Sequence, residues 1–190
     1  MVILVSKSGT TMETTTIFQA ICNQFPNDAA MADFIRNQVV CIGTDSSALH
    51  TKYSFKASFY ITDSIGGRFS VTSACGLLVG ALTYSTAMMD ALLSGARAMD
   101  EHAQNKDIRN NMPLCDAVLR VIDRNISEYP AQAVIPYYSA LQYLSAYLQQ
   151  LENESNGKSV DRANHPLQYP TSSYIFGEPG TNAQHSFFQL

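Results

Sequence analysis

Val2-Ile3-Leu4-Val5-Ser6-Lys7-Ser8-Gly9-Thr10-Thr11-Met12-Glu13-Thr14 is the stretch that decides the fold. Val2 to Val5 is a continuous apolar run, the pattern of a strand buried on both faces of a parallel sheet. A hydroxyl-rich turn follows. The spacing of Ile17, Ala20, Ile21 and Gln24 then predicts a helix over Thr11 to Phe25. In open parallel sheets ligands bind at the carboxyl ends of strands, which is where this turn lies.

Outward from that unit the alternation continues. Val39 to Ile42 and Ser58 to Ile61 read as further strands, and Val71 to Leu82 and Ser85 to Met99 as apolar helices. Pro113 opens another helix running to Glu128, since proline is tolerated in a first turn. Ala133 to Ile135 reads as a strand, Ala140 to Glu154 as an amphipathic helix, Tyr174 to Phe176 as a strand, and a last helix starts near Asn182. The expected class is an α/β fold with mostly parallel sheets. The polar stretch from Asn153 to Tyr169 reads as a loop joining elements. The chain opens almost inside a central-type strand and stops in the apolar run Phe187-Phe188-Gln189-Leu190 without a cap, which predicts an incomplete piece.

The 190 residues are 46% apolar and 15% charged, enough for one domain with a core or for two half-domains. A net charge of −4 argues against nucleic acid, whose phosphates need a basic face. It leaves room for one small phosphate, because a loop and one or two cations create the field locally. No apolar run is long enough to span a bilayer, and no secretion signal precedes the first strand. Cys22, Cys41, Cys75 and Cys115 lack C-x-x-C spacing and read as buried free thiols of a reducing compartment rather than as disulfides or metal ligands.

Four segments carry chemistry. In the first, the hydroxyls of Ser6, Ser8, Thr10 and Thr11 stand before a helix N-terminus, whose N–H groups and positive dipole end suit a dianionic phosphate. Gly9 lets the backbone approach a ligand, and Lys7 adds positive charge. The plainer reading is a capped helix start, and Thr10 to Glu13 fits a capping box; the two readings coexist. In the second, Ser64-Ile65-Gly66-Gly67-Arg68-Phe69-Ser70, the paired glycines permit unusual dihedrals. Arg68 stands where a helix begins, the wrong end for a cation unless it serves an anion. The alternative is an exposed loop arginine. The third, Gln149-Gln150-Leu151-Glu152-Asn153-Glu154-Ser155-Asn156-Gly157-Lys158, ends in a helix-stop signal. A carboxylate in that last turn has its charged form disfavoured, as a general base working near neutrality requires. Spacing alone does not choose between Glu152 and Glu154. The fourth, Gly177-Glu178-Pro179-Gly180-Thr181-Asn182-Ala183-Gln184-His185, puts a histidine in a first helical turn, where a neutral imidazole acid/base group is favoured.

Together these segments resemble, in order, the phosphate loop, the Gly-Gly-Arg turn, the M-E-S-N-G-K base motif and the G-E-P-G-T-N-x-Q-H motif of the glucose-6-phosphate isomerase family. The resemblance covers nearly the whole chain, including Ala98-Met99-Asp100-Glu101-His102. Ser8 and Gly9 stand where some relatives carry threonine and phenylalanine, and Asn153 where methionine is usual. The resemblance implies two sugar isomerase (SIS) domains of three-layer α/β/α type, both incomplete here: residues 1–129 are the latter part of the first with connecting helices, and 130–190 the opening of the second.

It also implies roles. Ser6, Lys7, Ser8, Gly9, Thr10, Thr11 and Gly67 hold the sugar phosphate, and Gln150 contacts the sugar. Glu154 moves a proton between carbons 2 and 1 through an enediol. Arg68 stabilises the enediolate, and His185, supplied by the partner in a homodimer, assists ring opening. The enzyme so implied is cytoplasmic, takes part in glycolysis and gluconeogenesis, and needs no metal. Family segments before Met1 and after Leu190, including a ring-opening lysine, have no counterpart, which predicts an inactive fragment. Two rivals fit less of the sequence. A non-catalytic sugar-phosphate-binding SIS module has no use for Glu154 and His185. The isomerase half of the glucosamine-6-phosphate amidotransferase shares the hydroxyl loop but not those two motifs.

Overall fold

Val39–Gly43 (β2) is buried at every position because it is the middle of a three-stranded parallel sheet, order β1-β2-β3. The computed structural model describes residues 1–189; Leu190, the end of the apolar run noted above, lies outside the described residues. The chain forms two compact units, Met1–Arg97 and Ala98–Leu190.

In the first unit, β1 (Val2–Val5) pairs with β2 from Val2 opposite Val39 to Val5 opposite Ile42. β3 (Ala57–Tyr60) pairs from Ala57 opposite Val40 to Tyr60 opposite Gly43. Parallel neighbours need a crossover rather than a tight turn. Between β1 and β2 this is α1 (Met12–Cys22) and α2 (Asp28–Gln38); between β2 and β3 it includes the short α3 (Ala48–Lys52). The core is the set Leu4, Phe18, Cys22, Ile35, Val39, Cys41 and Leu49. Phe18 meets Tyr53 edge to face, their ring centres 5.5 Å apart. After β3 come a 3-10 turn (Gly67–Thr72), α4 (Ala74–Thr83) and α5 (Thr86–His102). The apolar stretch predicted as one helix from Val71 to Leu82 therefore begins as the 3-10 turn and becomes α-helical at Ala74. There the Ser73 side chain accepts the Cys75 N–H as the cap.

In the second unit, α6 (Met112–Val121) continues into a π-helical turn (Ile122–Ile126). Its N-cap is Asn111, buried, whose side chain accepts from Leu114 N–H and donates to the carbonyls of Ala103 and Asn105. β4 (Ala131–Ala133) and β5 (Tyr174–Phe176) form a second parallel pair. β4 starts two residues before the predicted strand. Its ladder runs from Pro130, whose carbonyl accepts from Tyr174 N–H, to Val134, whose N–H donates to the Phe176 carbonyl. Pro136 follows at once and has no N–H to extend it. The predicted helix from Ala140 to Glu154 is a 3-10 turn (Ser139–Leu141), α7 (Leu144–Gln149) and a π-helical turn (Gln150–Glu154). The last helix, α8, runs from Gly180 to Ser186. Among the described residues no helix is long and apolar enough to cross a membrane.

All four cysteines are free; Cys22 and Cys41 are buried, Cys75 and Cys115 partly so. Burial raises the Cys41 thiol from the ordinary 9.0 to about 11. In the unfolded chain the same thiol ionises first as the pH rises. The contribution of this buried thiol to stability is therefore intact below pH 9.0 and is lost as the pH climbs towards about 11. We expect the urea midpoint to fall across that window, and the slope to flatten in Cys41→Ala. An unchanged slope in that variant would contradict the assignment.

Candidate active site

The first unit presents a hydroxyl cluster at the carboxyl end of β1. Ser6 Oγ lies 3.0 Å from Thr11 Oγ1, and Ser8 Oγ lies 2.7 Å from Thr10 Oγ1. The capping box expected over Thr10 to Glu13 is not formed. Thr11 occupies the N-cap of α1, but its side chain makes no cap bond, being turned back to Ser6. The first turn of an α-helix carries N–H groups with no partner inside the helix. Here hydroxyl donors and those N–H groups are gathered at the positive end of an 11-residue helix.

Gly9 has φ +75, and its N–H donates to Ser6 Oγ over 3.2 Å. It is buried, and a Cβ added to it would lie 2.5 Å from Ser47 Oγ and 2.7 Å from Leu49 N. The close approach that demands glycine is thus to the backbone of α3. The loop is also sewn to the residues after β2: Thr44 N–H and Oγ1 both donate to the Lys7 carbonyl at 3.0 Å, and Ala48 N–H donates to the Ser8 carbonyl. Thr44 has this role without any signal in its local sequence. The Lys7 ammonium donates to the carbonyls of Asp63 and Ile65, at 2.6 and 3.0 Å.

Those carbonyls belong to the turn that leads into Gly66-Gly67-Arg68. Neither glycine has a left-handed backbone, and an added Cβ at either meets nothing within 4 Å. The unusual dihedrals expected there are absent. Arg68, half-buried, stands in the first turn of the 3-10 segment, the cation-unfavourable end that the sequence indicates.

The second unit brings Gln150 and Glu154 together in the π-helical turn Gln150–Glu154, where Gln150 Nε2 donates to Glu154 Oε2 over 3.4 Å. Single π-helical turns inside helices are frequent at functional sites. The structure also separates the two acids that spacing left equal. Glu152 Oε2 accepts from Asn156 Nδ2 at 2.7 Å and faces Arg120 Nη1 at 3.7 Å. Glu154 is exposed, and Lys158 Nζ donates to its main-chain carbonyl. Asn153, the departure from methionine, accepts Ile175 N–H through Oδ1 and so ties the turn to β5.

His185 is exposed on α8. Because that helix opens at Gly180, His185 falls in its last turn. The first-turn dipole argument therefore does not apply, and the helix's negative end is the nearer one. Before α8, Gly177 has φ +149, and an added Cβ there would run into the Val134 carbonyl, so the strand-to-helix turn requires glycine.

The profile described as Phosphoglucose isomerase matches residues 1–190. Similar proteins include the glucose-6-phosphate isomerase of Treponema pallidum, 44% identical over 98% of this chain and 34% of the relative. That of Chlamydia trachomatis serovar A is 40% identical over all of this chain and 36% of the relative. A crystal structure of a glucose-6-phosphate isomerase from Chlamydia trachomatis superposes with a TM-score of 0.87 at 41% identity, covering 98% of this chain and 36% of that one. A hypothetical protein of Thermus thermophilus gives 0.78 at 28% identity over 99% and 43%. The chain spans about a third of the length of the curated relatives it matches. With the hydroxyl loop, the Gly-Gly-Arg turn and the Gln150–Glu154 segment, the full-length match identifies it: the chain belongs to the phosphoglucose isomerase family.

Proposed function

We propose that the full-length protein is a cytoplasmic, homodimeric glucose-6-phosphate isomerase that interconverts glucose 6-phosphate and fructose 6-phosphate in glycolysis and gluconeogenesis. The observation that carries this reading is the hydroxyl cluster of Ser6, Ser8, Thr10 and Thr11, paired among themselves at an α-helix N-terminus that the Thr11 side chain leaves uncapped. Such a terminus suits a phosphate dianion. Residues 1–129 are then assigned to one SIS domain and 130–190 to the next, the second parallel pair starting at Ala131, although residues 98–129 pack in the same compact unit as that pair.

The phosphate is held by those hydroxyls and by loop N–H groups, with Gly67 leaving room beside the sugar and Gln150 contacting it. Holding the far end of the substrate keeps carbons 1 and 2 against the base, which lowers the barrier by orientation alone. His185, contributed by the partner subunit, assists proton transfer during ring opening. Glu154 removes the proton from carbon 2 of the open aldose, giving an enediolate with its charge on oxygen 1; a proton passes from oxygen 2 to oxygen 1, and Glu154 returns its own proton to carbon 1 to give the ketose. The Arg68 guanidinium stabilises the oxygen on which negative charge develops. No cofactor enters the scheme, since the proton leaves and returns within one substrate.

A coupled assay with fructose 6-phosphate tests the reading. The full-length chain is expected to turn over, and the 190-residue chain alone to show no turnover above background, since it carries about a third of the relatives' length. An inactive full-length chain would refute the activity. An equally active 190-residue chain would refute the division of labour.

A further inference from the structure

We infer that Lys7 is a positioning residue: its ammonium ties the phosphate loop to the Gly66-Gly67-Arg68 turn and is not itself a ligand of the phosphate. The inference rests on the isomerase reading above, and adds to it how the anchor and the enediolate-stabilising cation are kept in register. A lysine ammonium has three donors. Two of them go to main-chain carbonyls 56 and 58 residues away, Asp63 at 2.6 Å and Ile65 at 3.0 Å. Hydrogen bonds from a charged donor are about twice as strong as neutral ones, and these two converge on the three residues that precede Gly66.

Within the turn, Ile65 N–H donates to the Thr62 carbonyl and Thr62 Oγ1 meets Ser64 Oγ at 3.1 Å, but these contacts are local and do not reach the phosphate loop, as the Lys7 ammonium does. Thr62, Asp63, Ser64, Gly66 and Gly67 are exposed, and the space beyond both glycines is open. The other end of the tether is firm. The Lys7 carbonyl accepts from both Thr44 N–H and Thr44 Oγ1, and the next residue's carbonyl accepts from Ala48 N–H. Main chain anchored on one side and ammonium on the other make Lys7 a strut between two loops. Arg68 lies three residues beyond Ile65, at the start of the 3-10 segment, so the strut holds the main chain that leads into it. A shift of that main chain carries Arg68 with it, and a displacement of about 1 Å at a reacting centre costs about 100-fold in rate.

The test uses Lys7→Met in the full-length chain, with kinetics and hydrogen exchange measured side by side. We expect kcat for fructose 6-phosphate to fall about 100-fold, and the competitive inhibition constant of inorganic phosphate to stay within about twofold. Amide exchange over residues 62–69 should accelerate, while that of β2 stays unchanged. If the inhibition constant of phosphate rises together with KM while kcat holds, the ammonium is a phosphate ligand and the inference is wrong. Unchanged exchange over 62–69 equally overturns it. Should Lys7→Met fail to fold, Lys7→Gln, which keeps a donor and loses the charge, is read by the same two measurements. If the wild-type full-length chain shows no isomerase turnover, the functional reading fails, and the exchange measurement still decides the tether.

Discussion

Glu154→Gln in the full-length chain is expected to lower kcat for isomerisation by about 10³-fold, the middle of the range for removing a general base, with KM for fructose 6-phosphate nearly unchanged. The substitution keeps size and polarity, so the π-helical turn persists and the Gln150 neighbour remains. What disappears is the group able to take a proton from carbon. Glu152→Gln is the control, two residues away in the same turn. Its carboxylate is engaged by Asn156 at 2.7 Å and faces Arg120 at 3.7 Å. It is expected to cost less than about tenfold, through a loosened turn rather than lost chemistry. Steady-state kinetics on both variants, with deuterium washout from glucose 6-phosphate labelled at carbon 2, separates the two acids. Washout that survives in Glu154→Gln and vanishes in Glu152→Gln would reverse the assignment.

Gly9→Ala should damage both stability and phosphate binding. A left-handed backbone costs a residue with a Cβ roughly 1–2 kcal/mol, and overpacking adds about 1–3 kcal/mol. At Gly9 both apply: φ is +75, and the new carbon would sit 2.5 Å from Ser47 Oγ and 2.8 Å from Ala48 N. Ser47 is fully buried, and the other neighbour is main chain, so neither side yields easily. We expect a loss of about 2–5 kcal/mol in urea unfolding and a rise of about tenfold in the inhibition constant of inorganic phosphate, as the loop shifts off the end of α1. Gly66→Ala is the contrast. With open space around it and no left-handed backbone, it should change stability by less than about 0.5 kcal/mol. Equal losses in the two variants would show that the packing beneath Gly9 is not what holds the loop.

How much of this is legible in the chain depends on where each piece of information lies. The sheet of the first unit is readable because β1 and β2 are unbroken apolar runs, the pattern of a strand buried on both faces; β2 is buried at every position, whereas β1, at the edge of the described sheet, buries only Leu4 fully and leaves Val5 exposed. α2 escapes the hydrophobic pattern, as only Ile35 on it is fully buried. Its start is nonetheless written in Asn27, whose side chain accepts Ala30 N–H, and its ends in Asp28 and Arg36. Asn182 looks like the cap of α8, whereas Pro179 holds the N-cap and the helix opens two residues before Asn182. That shift carries His185 from a first turn to a last one. The π-helical register of Gln150–Glu154 has no local signature. The strut from Lys7 and the commitment of Glu152 to Arg120 depend on partners tens of residues away, which composition and spacing do not encode. Asn153 stands out in the sequence only as a departure from its family's motif; that it binds Ile175 N–H is a property of the folded unit.

The proposed reaction needs a phosphate held by the hydroxyl loop and a proton moved by Glu154. The measurement that reaches this claim most directly is the crystal structure of the full-length chain with fructose 6-phosphate bound. The expected result is a phosphate within hydrogen-bonding distance of the Ser6, Ser8, Thr10 and Thr11 hydroxyls or their N–H groups, with the Glu154 carboxylate against carbons 1 and 2. A phosphate seated elsewhere, or a Glu154 carboxylate turned away from those carbons, would contradict it.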